Sequence, residues 1–225
     1  MRKMIPGLLA LAAALGFGLW ALPSLPDQVA SHWGLSGEPD GWSSKETLVY
    51  LLPLVGVGIA VLLGVVPRID PRRANFELHG GTYWTVANAS LVVLAGLHVA
   101  LIAYNLGWPV RINQIVGVAV GGLFILIGNL MTRMRPNWFM GIRTPWTLSS
   151  DTVWRKTHRV GGYAFVLAGL LLVAMGFVQP AWFAGALIAA AIGAALVPVI
   201  YSYFVWRGEQ EGRAGGGSEG VGGKA

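Results

Sequence analysis

Six apolar runs, each long enough to cross a bilayer, leave this chain few folds to choose from. They lie at roughly 4–22, 47–66, 83–106, 113–132, 160–178 and 181–206. A helix rises ~1.5 Å per residue, so about 20 residues span ~30 Å of hydrocarbon. Inside hydrocarbon every backbone N–H and C=O must be paired within the protein, so such runs form helices. The expected fold is all-α: a polytopic membrane protein built as a bundle of six transmembrane helices. Only 12% of the residues are charged, about half the share of a soluble domain. There is no cysteine, which excludes disulfides and thiolate chemistry. Arg2 and Lys3 precede the first run, which is longer than a signal-peptide core and is followed by no A-x-A site. It reads as a retained helix.

The charges orient the bundle. Arg2, Lys3, Arg68, Arg72, Arg73, the six basic residues of 133–159, Arg207, Arg213 and Lys224 fall in intervals on one side of the alternating spans. Only Lys45 and Arg111 fall on the other. The positive-inside bias then predicts that both termini are cytoplasmic. It also accounts for the net charge of +6 without nucleic acid, for which no groove-reading module is present. Trp20, Tyr50, Tyr83, Trp84, Tyr104, Trp108, Trp182, Tyr203 and Trp206 lie near span ends and read as interfacial anchors. The expected organisation has three parts. Residues 1–110 form a membrane domain of three helices with an outer loop at 23–46. Residues 111–207 form a second three-helix membrane domain with an inner loop at 133–159. Residues 208–225 form a flexible, glycine-rich tail.

The outer loop contains PSLPDQVASHWGLSGEPDGWSSK, whose prolines exclude a long helix and whose glycines supply turns. Its candidate functional residues are Pro26, His32, Trp33, Gly37, Asp40 and Lys45. Asp27, His32, Glu38 and Asp40 are ligand types for a divalent cation, but their spacing matches no Ca²⁺ loop. The loop reads as solvated and pinned by Trp33 and Trp42, and no metal is assigned. In the inner interval 67–82, Asp70 between Arg68 and Arg72 predicts a local ion pair, worth ~0–1 kcal/mol when exposed. His79 reads as a polar interfacial residue. Inside the spans, Asn88, His98 and Asn129 are expected to face the bundle rather than lipid. For His98, near mid-membrane, the expectation is an interhelical hydrogen bond of ~0.6–2 kcal/mol. The spans hold no Asp, Glu, Lys or Arg, so the acidic relay of a coupled transporter is missing. A transporter or channel would rest on His98 and scattered Asn residues alone.

The stretch 133–159, RMRPNWFMGIRTPWTLSSDTVWRKTHR, is the longest polar interval. Pro136 ends the fourth helix. The segment NWFMGIRTPWTL shows no helical period. Gly141 permits a tight turn, and Pro145 holds Thr144 extended. A helix restarts at Ser149 or Ser150, with Asp151 in its first turn facing the dipole. Asp151, Trp154, Arg155 and His158 then share one face, with an ion pair expected between Asp151 and Arg155 and stacking between Trp154 and His158. The candidate binding residues of this motif are Asn137, Gly141, Arg143, Thr144, Pro145, Trp146, Thr147, Asp151, Trp154, Arg155, Thr157 and His158. One reading of the cluster Arg143/Asp151/Arg155/His158 is a membrane enzyme or a lipid-headgroup or small-ligand binder. Guanidiniums clamp phosphate in two bonds, and an imidazole can act as acid or base. No catalytic set, cofactor or metal is assigned.

The run GIRTPWTLSSDTVWRKTHRVGG, with PNWF before it, resembles the signature of SdpI-type immunity proteins, which are six-helix bacterial membrane proteins. The outer LPDQVASHWGLSGEPDGWSSK resembles the N-terminal domain of unknown function that often accompanies it. The resemblance covers most of 22–178, and the sixth helix and the tail carry no motif. It implies a non-catalytic, multi-pass protein of the bacterial inner (plasma) membrane that protects its host against a secreted peptide toxin. It also implies a signalling role, in which the toxin-bound protein holds a winged-helix repressor at the membrane. The implied partners are membrane lipids, a peptide toxin outside and a transcriptional repressor inside, with no direct nucleic-acid contact.

Overall fold

Each apolar run becomes a helix in the computed structural model, which describes residues 2–34, 37–178 and 181–216, except for the side chains of 76–79 and 214–216. The His79 side chain and residues 217–225 therefore lie outside what the structure describes. The first helix is α1 (Ile5–Ala21), followed by a hairpin of β1 (Gln28–Trp33) and β2 (Pro39–Ser44). Then come α2 (Lys45–Ile69), α3 (Arg73–Asn105), α4 (Ile112–Met131), the short α5 (Pro145–Ser149), α6 (Asp151–Val178) and α7 (Phe183–Gly216). Six of these helices are long and apolar enough to cross a membrane. The many exposed leucines, isoleucines and valines of α2, α6 and α7 suit lipid contact. They would be a liability in water.

The helices pack in a chain of neighbours: α1 on α2 and α3, α3 on α4, α4 on α6, and α6 on α7. The closest pair is α4–α6, and glycine is the reason. A Cβ on Gly121 would stand 2.7 Å from the Gly169 carbonyl oxygen, and one on Gly128 would stand 2.7 Å from that of Gly162. Without an apolar driving force between helices in lipid, such backbone approach is what van der Waals packing there depends on. The other half uses the same device more mildly, with Gly7 against Leu91 and Gly56 against Leu11. Met4, Leu11, Ala14, Ala60, Leu91 and Ala95 form the apolar core where α1, α2 and α3 meet.

Four expectations change. The outer loop is not irregular: β1 and β2 pair antiparallel, Val29 opposite Ser43 and Trp33 opposite Pro39. Pairing with each other satisfies backbone groups that a loop would leave to water. Most of the inner interval 67–82 is helical, because only Pro71 interrupts it and α3 starts at Arg73. The last helix runs past Gly208 to Gly216, supported by i,i+4 pairs Arg207–Glu211 (2.9 Å) and Arg213–Glu209 (3.0 Å). Tyr83 is no interfacial anchor: it is buried, and its hydroxyl donates to the Leu63 carbonyl at 2.7 Å.

Candidate functional site

The polar stretch between α4 and α6 folds into a compact knot. Asn137, fully buried, closes its first turn. Its Oδ1 accepts from the Phe139 and Met140 amides at 3.0 and 2.6 Å, and its Nδ2 donates to the Arg135 and Met140 carbonyls at 2.9 and 3.0 Å. All four hydrogen-bonding positions of the amide are thus engaged. Gly141 follows with φ +97, in the left-handed region that side chains avoid. A Cβ there would also run into Nε2 of His158.

His158 is the pivot of the knot. It is buried, and its ring stacks on Trp154 with centroids 4.0 Å apart and planes at 20°. Nδ1 lies 2.9 Å from the Trp154 carbonyl oxygen, and Nε2 receives the Ile142 amide at 3.1 Å. A carbonyl needs a donor and an amide needs an acceptor, so the ring is neutral with its proton on Nδ1. Both nitrogens are thereby committed to backbone. Trp154 is buried too, and its indole N–H donates to the Met134 carbonyl at 2.9 Å.

The short helix α5 lies where the sequence showed no helical period. Thr144 caps it: Thr144 Oγ1 accepts from the Thr147 amide at 3.1 Å, and the Thr144 amide donates to Thr147 Oγ1 at 2.8 Å. Pro145 sits at the first turn, where a missing N–H does no harm. Thr147 Oγ1 also donates to the Ile142 carbonyl at 2.9 Å, and the Thr144 hydroxyl meets Ser202 of α7 at 3.2 Å. Trp146 packs its ring on Tyr203. The Thr157 hydroxyl is buried with no hydrogen-bond partner among the described residues.

Residues outside the stretch clamp it, and Asp70 is the chief of them. It is buried and forms no ion pair with Arg68 or Arg72, contrary to the sequence expectation. Instead Oδ1 accepts from the Arg72 amide at 2.6 Å, and Oδ2 from the Trp138 amide at 2.9 Å. Arg72 Nη2 donates to the Leu148 carbonyl at 2.9 Å, and Asn75 Nδ2 to that of Pro136 at 2.6 Å. Ser150 donates to Glu209 of α7 at 2.7 Å. The Asp70-Pro71 pair carries a local turn signal. Its partner, 68 residues along the chain, has none.

The proposed four-residue cluster comes apart. Trp154 and His158 turn inward, whereas Asp151 and Arg155 are exposed and form no ion pair. Arg155 donates to Thr152 Oγ1 at 3.1 Å, and Arg143 donates to the Trp138 carbonyl at 2.8 Å, away from Asp151. A face of 100° is wide enough for one edge to be buried and the other wet.

At the opposite end, the hairpin roofs a cleft of about 580 Å³ lined by His32, Trp33, Asp40, Leu97, Asn113 and Phe183, among others. His32 Nδ1 lies 2.5 Å from Asp40 Oδ1, and Lys45 Nζ lies 2.8 Å from Asp27 Oδ1. The hydrogen bond to Lys45 holds the Asp27 carboxyl below its ordinary range. The four ligand types thus go into separate pairs or elsewhere, and no metal-binding group of three is found among the described residues. Trp33 packs edge-on against Tyr104 at 5.2 Å, Gly37 takes φ +83 beside Asn113, and Pro26 is exposed.

The intramembrane polar residues divide. Asn88 accepts from the Gly7 amide at 2.9 Å and donates to the Lys3 carbonyl at 2.8 Å, which fastens α1 to α3. His98 is buried against Gly18 of α1, but neither ring nitrogen finds a partner among the described residues, so the expected interhelical bond does not form. Self-bonded helix backbones offer it space but no donor or acceptor. Asn129 is exposed and, among the described residues, bonds only to Ile125 of its own helix, rather than facing the bundle.

Residues 133–202 match the SdpI/YfhL protein family, and residues 9–57 match a domain of unknown function, DUF1648. The chain is 25% identical to the immunity protein SdpI of Bacillus subtilis (strain 168) over 207 residues, covering 92% of this chain and 97% of that protein. No solved structure matches.

Proposed function

We propose, for a chain whose residues 133–202 match the SdpI/YfhL protein family, a role in immunity: protection of a bacterial cell against a secreted peptide toxin, without catalysis. The observation that carries this reading is end-to-end similarity to an immunity protein, spanning 97% of that protein. The knot supports the non-catalytic part. A general acid or base needs a nitrogen free to reach a reacting proton, and His158 has committed both of its nitrogens to Trp154 and Ile142.

In this reading the protein lies in the plasma membrane with its basic end in the cytoplasm, as the positive-inside bias requires. The hairpin and its cleft are then the surface that a toxin meets first. The knot is the surface offered to a cytoplasmic regulator, including a winged-helix repressor, through the exposed Trp138, Phe139 and Arg143. The test is expression in a toxin-sensitive bacterium challenged with the peptide toxin of a producing strain. Survival is expected; unchanged killing by each candidate toxin overturns the reading.

A further inference from the structure

The basic end of the α4–α6 pair holds a second cleft, of about 440 Å³, that the immunity reading leaves unused. It opens where α4 ends at Met131 and α6 begins at Asp151. Arg133, Arg135 and Arg155 line it, together with Thr132, Asp151 and Trp154. Met134 is buried between the first two, which sets both neighbouring arginines on the rim. Among the described residues, neither Arg133 nor Arg135 has a side-chain hydrogen bond or ion pair within the protein, and Arg155 reaches only the Thr152 hydroxyl. Asp151 supplies one negative charge against three positive ones, so the cleft keeps a net positive charge.

Orientation alone does not ask for this arrangement. The positive-inside bias counts basic residues near span ends and is indifferent to whether three of them surround one concavity. The depth matters as well. The apolar runs of α4 and α6 stop at about 132 and resume at about 160, so the cleft falls just beyond the hydrocarbon, where lipid phosphates would lie. Guanidinium matches a phosphate in paired, charge-assisted hydrogen bonds. From the cleft, its unpaired arginines and its depth, we infer that it binds the phosphate group of an anionic phospholipid. Arg133, Arg135 and Arg155 are the clamps, and the Thr132 hydroxyl is a further donor. This inference stands whether or not the protein confers immunity.

The test uses the full chain purified in detergent and titrated with phosphatidylglycerol or phosphatidylcholine, with bound lipid counted by native mass spectrometry. The wild type should keep phosphatidylglycerol under conditions where phosphatidylcholine is lost. The double variant R133Q/R135Q should weaken retention about tenfold or more. D151N, which removes the opposing charge, should strengthen it. Gain in one variant and loss in the other is a pair of signs that unfolding cannot produce. R159Q, an exposed arginine of α6 outside the cleft, should change nothing. Loss in R159Q equal to that in R133Q/R135Q would reduce the effect to general charge and overturn the site. Displacement of the lipid by inorganic phosphate would reassign the cleft to a free anion and overturn the lipid claim.

Discussion

Asp70 and His158 show how a single polar side chain can hold a loop. Asp70 accepts two backbone amides, one from each side of the gap between its own turn and the knot. Replacing it with Asn leaves one buried amide facing an amino group, an unmade bond that costs ~1–3 kcal/mol. D70N should therefore lower the melting temperature of the detergent-solubilised protein, and an unchanged melting point would refute the clamp. His158 makes a sharper case, because its two roles predict different outcomes. As a neutral spacer between the Trp154 carbonyl and the Ile142 amide, it should be replaceable by Gln with loss of stability but with toxin protection kept wherever folded protein reaches the membrane. Loss of protection at wild-type protein levels would return it to chemistry. G141A should destabilise the same knot by more than ~1 kcal/mol, since it combines a left-handed backbone with a collision against the imidazole. Little of this was legible beforehand. The stacking of Trp154 on His158 follows from helical spacing, but the bonding of Asp70 across 68 residues follows from no local pattern.

Among the elements, the α4–α6 pair is the one most exposed to single substitutions. Gly121, Gly128, Gly162 and Gly169 let two backbones touch. A valine at Gly121 must push against the Gly169 carbonyl, and overpacking of that kind costs ~1–3 kcal/mol or more. G121V should reduce monodisperse protein in size-exclusion chromatography. G122A, where a Cβ meets nothing within 4 Å, should not. If the two behave alike, the interface is not where the structure puts it. The glycine richness of these spans already pointed to close packing. Which helix faces which glycine could not be read, because every span is apolar all round and periodicity then carries no direction. The hairpin and α5 were missed for a related reason. Both are short, and turn chemistry at Thr144-Pro145 and Gly34–Gly37 weighs little against long stretches without a period.

On the scale of the molecule, the basic and acidic-aromatic ends make opposite predictions about access. The chain contains no cysteine, so single replacements are clean probes. S31C, on the hairpin, should react with a membrane-impermeant maleimide in intact cells, and S149C, in α5, should react only after lysis. The reverse pattern would invert the proposed orientation. The number of spans was legible in the sequence alone, because hydrocarbon imposes length and pairing rules that act locally along a chain; the central motif added a likeness to one protein family, and the charges an expected orientation that the accessibility test decides. Packing alone decided that most polar side chains of that motif bond within it, that Asp70, Arg72 and Asn75 bind its backbone from outside, and that Ser202 meets its Thr144 hydroxyl. A side chain's free valences depend on what lies across from it, and that is set by packing. The stretch singled out by its arginines and tryptophans is thus mostly a self-satisfied knot, with Arg133 and Arg135 left unpaired at one rim.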